Sequence, residues 1–374
     1  MMGKSAYMLF VLLIVSLCGC SNNGTKSNTA KGKEGVLSSA DIQSLPQKSE
    51  LFMVLPDYCP TPDGMAIAPN GDLILACPNF ADISKPACIM RITTEGEIKK
   101  WLDVPVLSET GWASPMGIAF NDDGDLFICD NQGWSGAEQA KNKGRILRLR
   151  FDENDNLIET IEVAIGMEHP NGIRVHGGKL YVTQSILSDI EDPSGLLVSG
   201  VYRFDMNDKD IRVSNTLEDR NLIATVITKN EEVQYGLDGI VFDKDGNLYI
   251  GNFGDGSIHK ITMDASGKVT GNNLWAQDLT QLRTVDGICI DDDGNIWVAD
   301  FSDNAVARVD KNGNVQRIAQ SPDGDGSDGG LDQPGEPIVW NGMVIVSCFD
   351  LVTGPDKVNT SHDKPFTLVK LSLK

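Results

Sequence analysis

The stretch from Val285 to Val309, VDGICIDDDGNIWVADFSDNAVARV, decides the fold. Two short apolar strands, Ile288–Ile290 and Ile296–Val298, flank the turn Asp291–Asn295. Asp, Asn and Gly are favoured in such a turn because they tolerate positive φ. A second turn leads to a third strand at Ala305–Val309. The pattern predicts a β-meander that opens with an Asp-Gly pair.

The same unit recurs along the chain. Leu237–Ile261, LDGIVFDKDGNLYIGNFGDGSIHKI, is almost a copy of it. Four weaker copies share the apolar strands and the turn between them; they begin at Asp63, Met116, Asn171 and Glu336. Six strand-rich units spaced about fifty residues apart predict an all-β fold, a six-bladed β-propeller. The alternative is a β-sandwich that repeats its turn chemistry, although the best copies match over three strands and two turns.

The last repeat is one strand short. The final apolar strand of the chain is Thr367–Leu371, and only three strands can be assigned to the sixth unit. Leu51–Leu55, LFMVL, precedes the first blade and can supply the missing strand. An N-terminal strand on the last blade would close the ring and remove an open sheet edge. We therefore expect one propeller domain over residues 49–374.

The N-terminus is predicted to be a targeting segment. Lys4 precedes an apolar run, Met8–Leu17, that is too short to span a bilayer and is typical of a signal peptide. The run ends in Leu17-Cys18-Gly19-Cys20, which resembles a bacterial lipobox with Cys20 as the lipidated residue. The alternative is an ordinary secretory signal cleaved nearby. We expect a lipoprotein signal peptide over residues 1–19, and the lipidated Cys20 with a flexible polar tether over residues 20–48.

This arrangement predicts an extracytoplasmic protein that is lipid-anchored to a bacterial membrane, on the periplasmic side or in the outer membrane. The chain of 374 residues has a formal net charge of −21, which argues against nucleic-acid partners. The charge is compatible with binding cations, and also with a surface that is acidic only for solubility.

An extracytoplasmic location would permit disulfide bonds between cysteines. Cys59, Cys77 and Cys88 lie in the first repeat, and a disulfide between two of them is one possibility. The eight cysteines show no CxxC pair and no zinc-type spacing. Cys129 and Cys289 are expected to be small packing residues.

One residue at the start of each innermost strand is expected to face the central channel. These residues are Asp63, Met116, Asn171, Asp238, Asp286 and Glu336. Five of the six are oxygen donors, and oxygen donors without His or Cys favour Ca²⁺ over a soft metal. Crowded carboxylates also need either a cation or protons to offset their repulsion. The alternative is that Asp or Asn before Gly serves only to make a turn.

The repeats, above all VDGICIDDDGNIWVAD, resemble the senescence-marker-protein/gluconolactonase family, whose six-bladed propellers are related to paraoxonases and diisopropylfluorophosphatase-type hydrolases. The likeness extends from about Leu51 to the C-terminus. It implies a divalent ion, often Ca²⁺, in the channel and hydrolysis of lactones or related esters.

The resemblance also implies a ligand set. Asn171 and Asp286 match family ligands, whereas Asp63 stands where a Glu is typical and Asp238 where an Asn is typical. His169 stands where family sugar lactonases carry an Arg, and this departure points away from gluconolactone as the substrate.

The resulting hypothesis is a metal-dependent hydrolase that acts as a monomer on a small-molecule lactone or related ester.

 Asp286 is the expected base that takes the proton from the attacking water, and His169 is the expected second base or substrate-orienting group. Trp112 and Trp134 are expected near the rim of the channel. No GxSxG nucleophile motif or P-loop occurs in the sequence. The alternative is a non-catalytic, membrane-tethered propeller that binds a sugar, a peptide or a protein partner.

Overall fold

A computed structural model of the chain describes residue 42, residues 44–351, residue 354 and residues 357–373. The predicted signal peptide, the predicted lipidation site Cys20 and most of the predicted tether lie outside the described residues. In the part of the chain that is described, no helix is both long enough and apolar enough to cross a membrane.

The described residues form mainly antiparallel strands joined by turns and loops. In chain order the strands are β1 (Glu50–Val54), β2 (Met65–Ile67), β3 (Leu73–Cys77), β4 (Cys88–Ile92), β5 (Ile98–Asp103), β6 (Pro115–Phe120), β7 (Leu126–Asp130), β8 (Gly144–Phe151), β9 (Leu157–Met167), β10 (Pro170–His176), β11 (Lys179–Gln184), β12 (Val198–Asp205), β13 (Ile211–Arg212), β14 (Leu222–Ile227), β15 (Leu237–Phe242), β16 (Leu248–Asn252), β17 (Ser257–Met263), β18 (Val269–Gln277), β19 (Ile288–Ile290), β20 (Ile296–Asp300), β21 (Ala305–Val309), β22 (Val315–Gln320), β23 (Pro334–Trp340), β24 (Met343–Cys348) and β25 (Thr367–Ser372). Short 3₁₀ turns occur at Gln132–Ser135, Glu138–Ala140 and Phe301–Asp303.

The strands assemble into six sheets, which are the blades of a β-propeller. Blade one is β2 to β5, blade two is β6 to β9, and blade three is β10, β11, β12 and β14. Blade four is β15 to β18, blade five is β19 to β22, and blade six contains β23, β24 and β25. The innermost strands contact one another around a closed circle, in which β2 touches both β6 and β23. The predicted all-β, six-bladed propeller is confirmed.

Blade six receives its outer strand from the beginning of the chain. Strand β1 pairs antiparallel with β25, with Glu50 opposite Lys370 and Val54 opposite Thr367. The backbone N–H of Leu55 then donates to the carbonyl of Phe366 over 2.8 Å. The strand lies one residue earlier than the predicted Leu51–Leu55, and the last blade contains both the first and the last strand of the described chain.

Blade two has a fifth strand that the sequence did not indicate. Strand β13 pairs in parallel with β9, so that Ile211 lies opposite Ala164 and Arg212 opposite Ile165. It belongs to the insertion between the third and fourth strands of blade three. That insertion therefore ties blade three to the outer edge of blade two.

The six described cysteines, Cys59, Cys77, Cys88, Cys129, Cys289 and Cys348, are buried and free. The possible disulfide among Cys59, Cys77 and Cys88 is therefore not formed. Cys129 and Cys289 pack within apolar clusters between blades, as expected for small core residues.

Candidate functional site

The glycines that follow the channel residues allow the innermost strands to approach one another closely. A Cβ atom at Gly117 would lie 2.5 Å from the carbonyl oxygen of Asn171, and one at Gly172 would lie 2.5 Å from the carbonyl oxygen of Asp238. Comparable clashes would occur with the next blade at Gly64, Gly239 and Gly287. The repeated glycine is thus required because the neighbouring backbone fills the space of a side chain.

Four of the five predicted oxygen-donor residues are buried around the propeller axis. Asp63 is 6% exposed, Asn171 is 3% exposed and Asp238 is 5% exposed. Glu336 is also buried, whereas Asp286 is partly exposed. Met116 occupies the corresponding position in blade two and offers no oxygen ligand.

Direct contacts join the donors of three successive blades. The Asn171 amide Nδ2 donates to Asp238 Oδ2 over 2.6 Å. The carboxyl groups of Asp238 and Asp286 are hydrogen-bonded to each other. The same Asn171 nitrogen lies 3.3 Å from the hydroxyl oxygen of Tyr235. Two carboxyl groups can share a hydrogen bond only when one of them carries a proton.

Burial and mutual repulsion favour the protonated forms of these acids. Burial raises the pKa of Asp63 to about 8, and the Glu336 carboxylate adds to the shift. Burial raises the pKa of Asp238 well above its usual range, with further contributions from Asp63 and Glu336. The pKa of Asp286 is raised by burial first and then by Asp238, Asp63 and Glu336. A bound cation would relieve the same repulsion, and an all-oxygen donor set fits a hard divalent ion.

An arginine that the sequence reasoning missed lies beside the acids. Arg174 Nη2 is 2.9 Å from Glu336 Oε1 and also donates to the carbonyl of Ile288 over 3.1 Å. It therefore reaches from blade three to blades five and six. Burial raises the pKa of Glu336, and the Arg174 guanidinium opposes that shift. The signal was available, because Arg174 stands two residues after the channel glycine, where Ala66, Ala119, Val241, Cys289 and Val339 occupy the other blades.

His169 lies in the link between β9 and β10, immediately before blade three. A Cβ at Gly133 would lie 3.0 Å from His169 Cε1, so the imidazole packs against the backbone of blade two. Burial lowers the pKa of His169 to about 4, and the ring is therefore neutral at neutral pH. Its Nδ1 is buried without a hydrogen-bond partner among the described residues.

Aromatic side chains form a layer next to the acids, which we call the rim aromatic cluster. Its members are Phe80, Trp134, Tyr235, Phe253, Phe301 and Phe349. Trp134 stacks on Phe80 with 3.9 Å between the ring centroids. Tyr235 connects the cluster to the site through its contact with Asn171. The Lys357 ammonium lies over the rings of Phe253 and Phe301.

The two tryptophans predicted near the rim have different surroundings. Trp134 belongs to the rim aromatic cluster, whereas the carbonyl of Trp112 accepts a hydrogen bond from Gln132 Nε2 over 3.1 Å. Most cluster members follow the second strand of their blade, so the recurrent position explains how residues distant in sequence meet. The sequence signal was an aromatic residue after this strand in several repeats.

Solved structures with the same architecture include proteins of different activities. A gluconolactonase from Xanthomonas campestris is 16% identical, with a TM-score of 0.56, and the alignment covers 92% of this chain and 96% of that one. A calcium-binding protein, regucalcin, from Agrobacterium tumefaciens is 15% identical, with a TM-score of 0.55 and coverage of 87% and 94%. A PQQ-bound aldose sugar dehydrogenase from Streptomyces coelicolor is 15% identical, with a TM-score of 0.55 and coverage of 88% and 97%. At this level of identity the likeness establishes the fold alone.

The sequence itself matches one family model. Residues 256–325, which include blade five and its Asp-Gly motif, match the SMP-30/Gluconolactonase/LRE-like region. No curated protein matches the sequence. The resemblance indicated by the repeats is confirmed: the chain is a six-bladed propeller that carries an SMP-30/gluconolactonase/LRE-like region.

Proposed function

We propose that the protein is a metal-dependent hydrolase of a lactone or related ester, with its site on the propeller axis. One divalent ion, by preference Ca²⁺, would be held by Asp63, Asn171, Asp238 and Asp286. The observation that carries the proposal is a group of three acids with raised pKa values on the axis, one of which, Asp238, accepts a hydrogen bond from the Asn171 amide. The neighbouring cation Arg174 is paired with Glu336. The negative charges of the three acids therefore need another source of compensation.

The donor chemistry supports a hard ion. Carboxylate and amide oxygens are the ligands that Ca²⁺ prefers, and the set contains no sulfur or imidazole. When bound, such an ion would supply Lewis-acid polarisation of a carbonyl group and stabilisation of the developing oxyanion.

Asp286 is the proposed general base. It opens the repeat that resembles the family pattern best, and it is the least buried residue of the set. Its role would be to accept the proton of the attacking water. His169, neutral at neutral pH, would orient the substrate or accept a proton.

A second candidate function is binding without turnover. Phe253, Phe301 and Phe349 are only 8%, 6% and 4% exposed, so the aromatic layer restricts access to the axis. Restricted access to the axis argues against turnover there, and it leaves a propeller that binds a sugar, a peptide or a protein as the second candidate. The two candidates differ in whether a small ester is consumed.

The test is a panel of lactones and aryl esters, assayed with Ca²⁺ and with a chelator. Turnover that requires the divalent ion and disappears in Asp238→Asn would support the hydrolase. Saturable binding of a glycan or peptide without turnover of any ester would support the binding module instead.

We also propose that the protein is exported and anchored through Cys20. The support is the order of the apolar run, the lipobox-like sequence and the polar stretch that follows. The proposed partners are a small lactone or ester and the membrane that holds the lipid. Function of the site as a monomer is part of this proposal, because all four proposed ligands come from one ring.

A further inference from the structure

Three thiols from separate segments meet in blade one, away from the acids on the axis. Cys77 ends β3 and lies directly opposite Cys88, the first residue of β4. Cys59 is delivered by a turn in which its N–H donates to the carbonyl of Pro56 over 2.9 Å. The three sulfur atoms all lie within 4.8 Å of one another. Among the described residues, no other group of three or more His, Cys, Asp or Glu side chains brings its ligand atoms this close together.

The surroundings of the thiols are apolar and contain a fourth sulfur. Cys59 and Cys77 are 0% exposed and Cys88 is 1% exposed. The Sδ atom of Met90 lies 3.9 Å from the Sγ atom of Cys88. Leu55 belongs to the same apolar cluster, which lies between blades six and one. The four sulfur atoms thus form a compact set of soft ligands.

We propose that Cys59, Cys77 and Cys88 form a binding site for one soft, thiophilic metal ion, for which Cu(I) is the best chemical match. Thiolate and thioether ligands select Cu(I) and other soft ions, and no imidazole or carboxylate belongs to the set. In a metal–thiolate site with bonds of about 2.3 Å, sulfur atoms lie about 3.8 Å apart, so little movement is needed here. The metal would replace thiol protons, which pass to solvent, and Cu(I) would keep its oxidation state.

The position of the site gives the ion a structural role. Cys59 closely follows β1, which is part of blade six, whereas Cys77 and Cys88 belong to blade one. An ion bound to all three would fasten the link between β1 and blade one. Because it binds the folded arrangement, it should stabilise the closed ring.

The experiment uses the full chain, purified in detergent under reducing, oxygen-free conditions. Cu(I) is supplied as its complex with the chelator bathocuproine disulfonate, and loss of the coloured complex reports transfer to the protein. We expect one equivalent to transfer, an ultraviolet thiolate-to-copper absorption band and a higher melting temperature. Cys59→Ser and Cys88→Ser should lose all three responses, whereas Met90→Leu should weaken binding without changing the stoichiometry.

Cys289→Ser is the matched control, because Cys289 is also buried but lies in blade five, outside the group. It should bind Cu(I) like the parent. If Cys88→Ser does not fold, Cys59→Ser decides, since that residue lies in a turn and not in the strand pair. Transfer that is absent in the parent, or equal in Cys59→Ser and the parent, would overturn the proposal. A disulfide between any two of the three cysteines that persists under these reducing conditions would do the same.

Discussion

At the scale of single residues, Asp286 differs from the other acids on the axis. It is partly exposed and hydrogen-bonded to Asp238, whereas Asp63 and Asp238 are buried. A residue of this kind can serve both as a ligand and as a base, because a carboxylate has two oxygen atoms and can contact two partners. Substitution of Asp286 can distinguish the roles of ligand and base from a purely structural role in the turn.

Asp286→Asn should keep the fold, lose most of the calcium-induced rise in melting temperature and abolish hydrolysis. The amide removes one negative charge, which lowers repulsion in the metal-free protein but weakens attraction for the cation. Melting curves with and without Ca²⁺, together with the ester assay, measure these effects. Calcium binding and turnover equal to the parent would show that Asp286 is only a turn residue.

The control substitution must lie in a turn that is exposed to solvent. Asp303, which the sequence places in an outer turn of blade five, is fully buried and pairs with Arg317 at 2.8 Å. Its substitution would therefore disturb a buried ion pair. Asp292 is exposed in the turn between β19 and β20. Asp292→Asn removes the same charge in the same blade and should leave calcium binding and turnover unchanged.

Asp63 predicts how the stability of the metal-free protein depends on pH. Its pKa is about 8 in the folded protein, whereas the pKa of an Asp in an unfolded chain is about 3.9. Between these values the folded protein holds a proton that the unfolded chain releases, so the free energy of unfolding falls as pH rises. Melting temperatures in chelator should therefore decrease from about pH 5 to about pH 8, and Ca²⁺ should stabilise more at the upper end. Asp63→Asn should flatten the chelator profile, and an unchanged profile would contradict the assignment.

At the scale of elements, the turn between the first two strands of a blade is held by its own side chains, and its repeated sequence made the blades recognisable. Asp291 Oδ1 accepts hydrogen bonds from the backbone N–H of Asn295 at 2.8 Å and of Asp293 at 3.1 Å. Asp243 accepts equivalent bonds in blade four. Because a turn of this kind depends on local residues, its sequence recurs and reveals the strands on either side.

Other elements could not be predicted in the same way. Strand β13 has only two residues and pairs with a neighbouring blade, so neither its length nor its apolar pattern marks it. The Arg174–Glu336 ion pair joins residues 162 positions apart, and the contact depends on the bore of the closed ring. The donor positions were predictable because they repeat at one register, whereas contacts across the axis required the assembled blades.

The pairing of β1 with β25 predicts the effect of shortening the chain. Deleting residues through Leu55 should expose the edge of β25, lower the melting temperature and sharply reduce solubility. Deleting only residues 21–33 should have neither effect. A longer deletion that melts like the intact chain would show that β1 is dispensable for ring closure.

At the scale of the whole molecule, the acidic chain and its proposed anchor define where it can act. A net charge of −21 opposes close contact with anionic lipid, so a lipid on Cys20 and a polar spacer would be needed to keep the propeller at a membrane. Charge alone would not bring the protein there.

Cys20→Ala should release or mislocalise the protein without unfolding the propeller, because residue 20 is far from blade one in the chain. Membrane fractionation measures the release, and mass spectrometry of the parent should find an acylated N-terminal Cys20. A mature N-terminus at any other residue would refute the anchor.

The channel glycines have a consequence for how such a ring can diverge. The spacing of adjacent blades depends on the close contact between each channel glycine and the backbone of the next blade. The width of the channel is therefore set independently of the side chain that comes before each glycine. Carboxylate, amide and thioether groups already occupy these preceding positions at Asp63, Asn171 and Met116. The axis can therefore exchange its chemistry one blade at a time, while a change at the glycine would alter the diameter for every ligand at once.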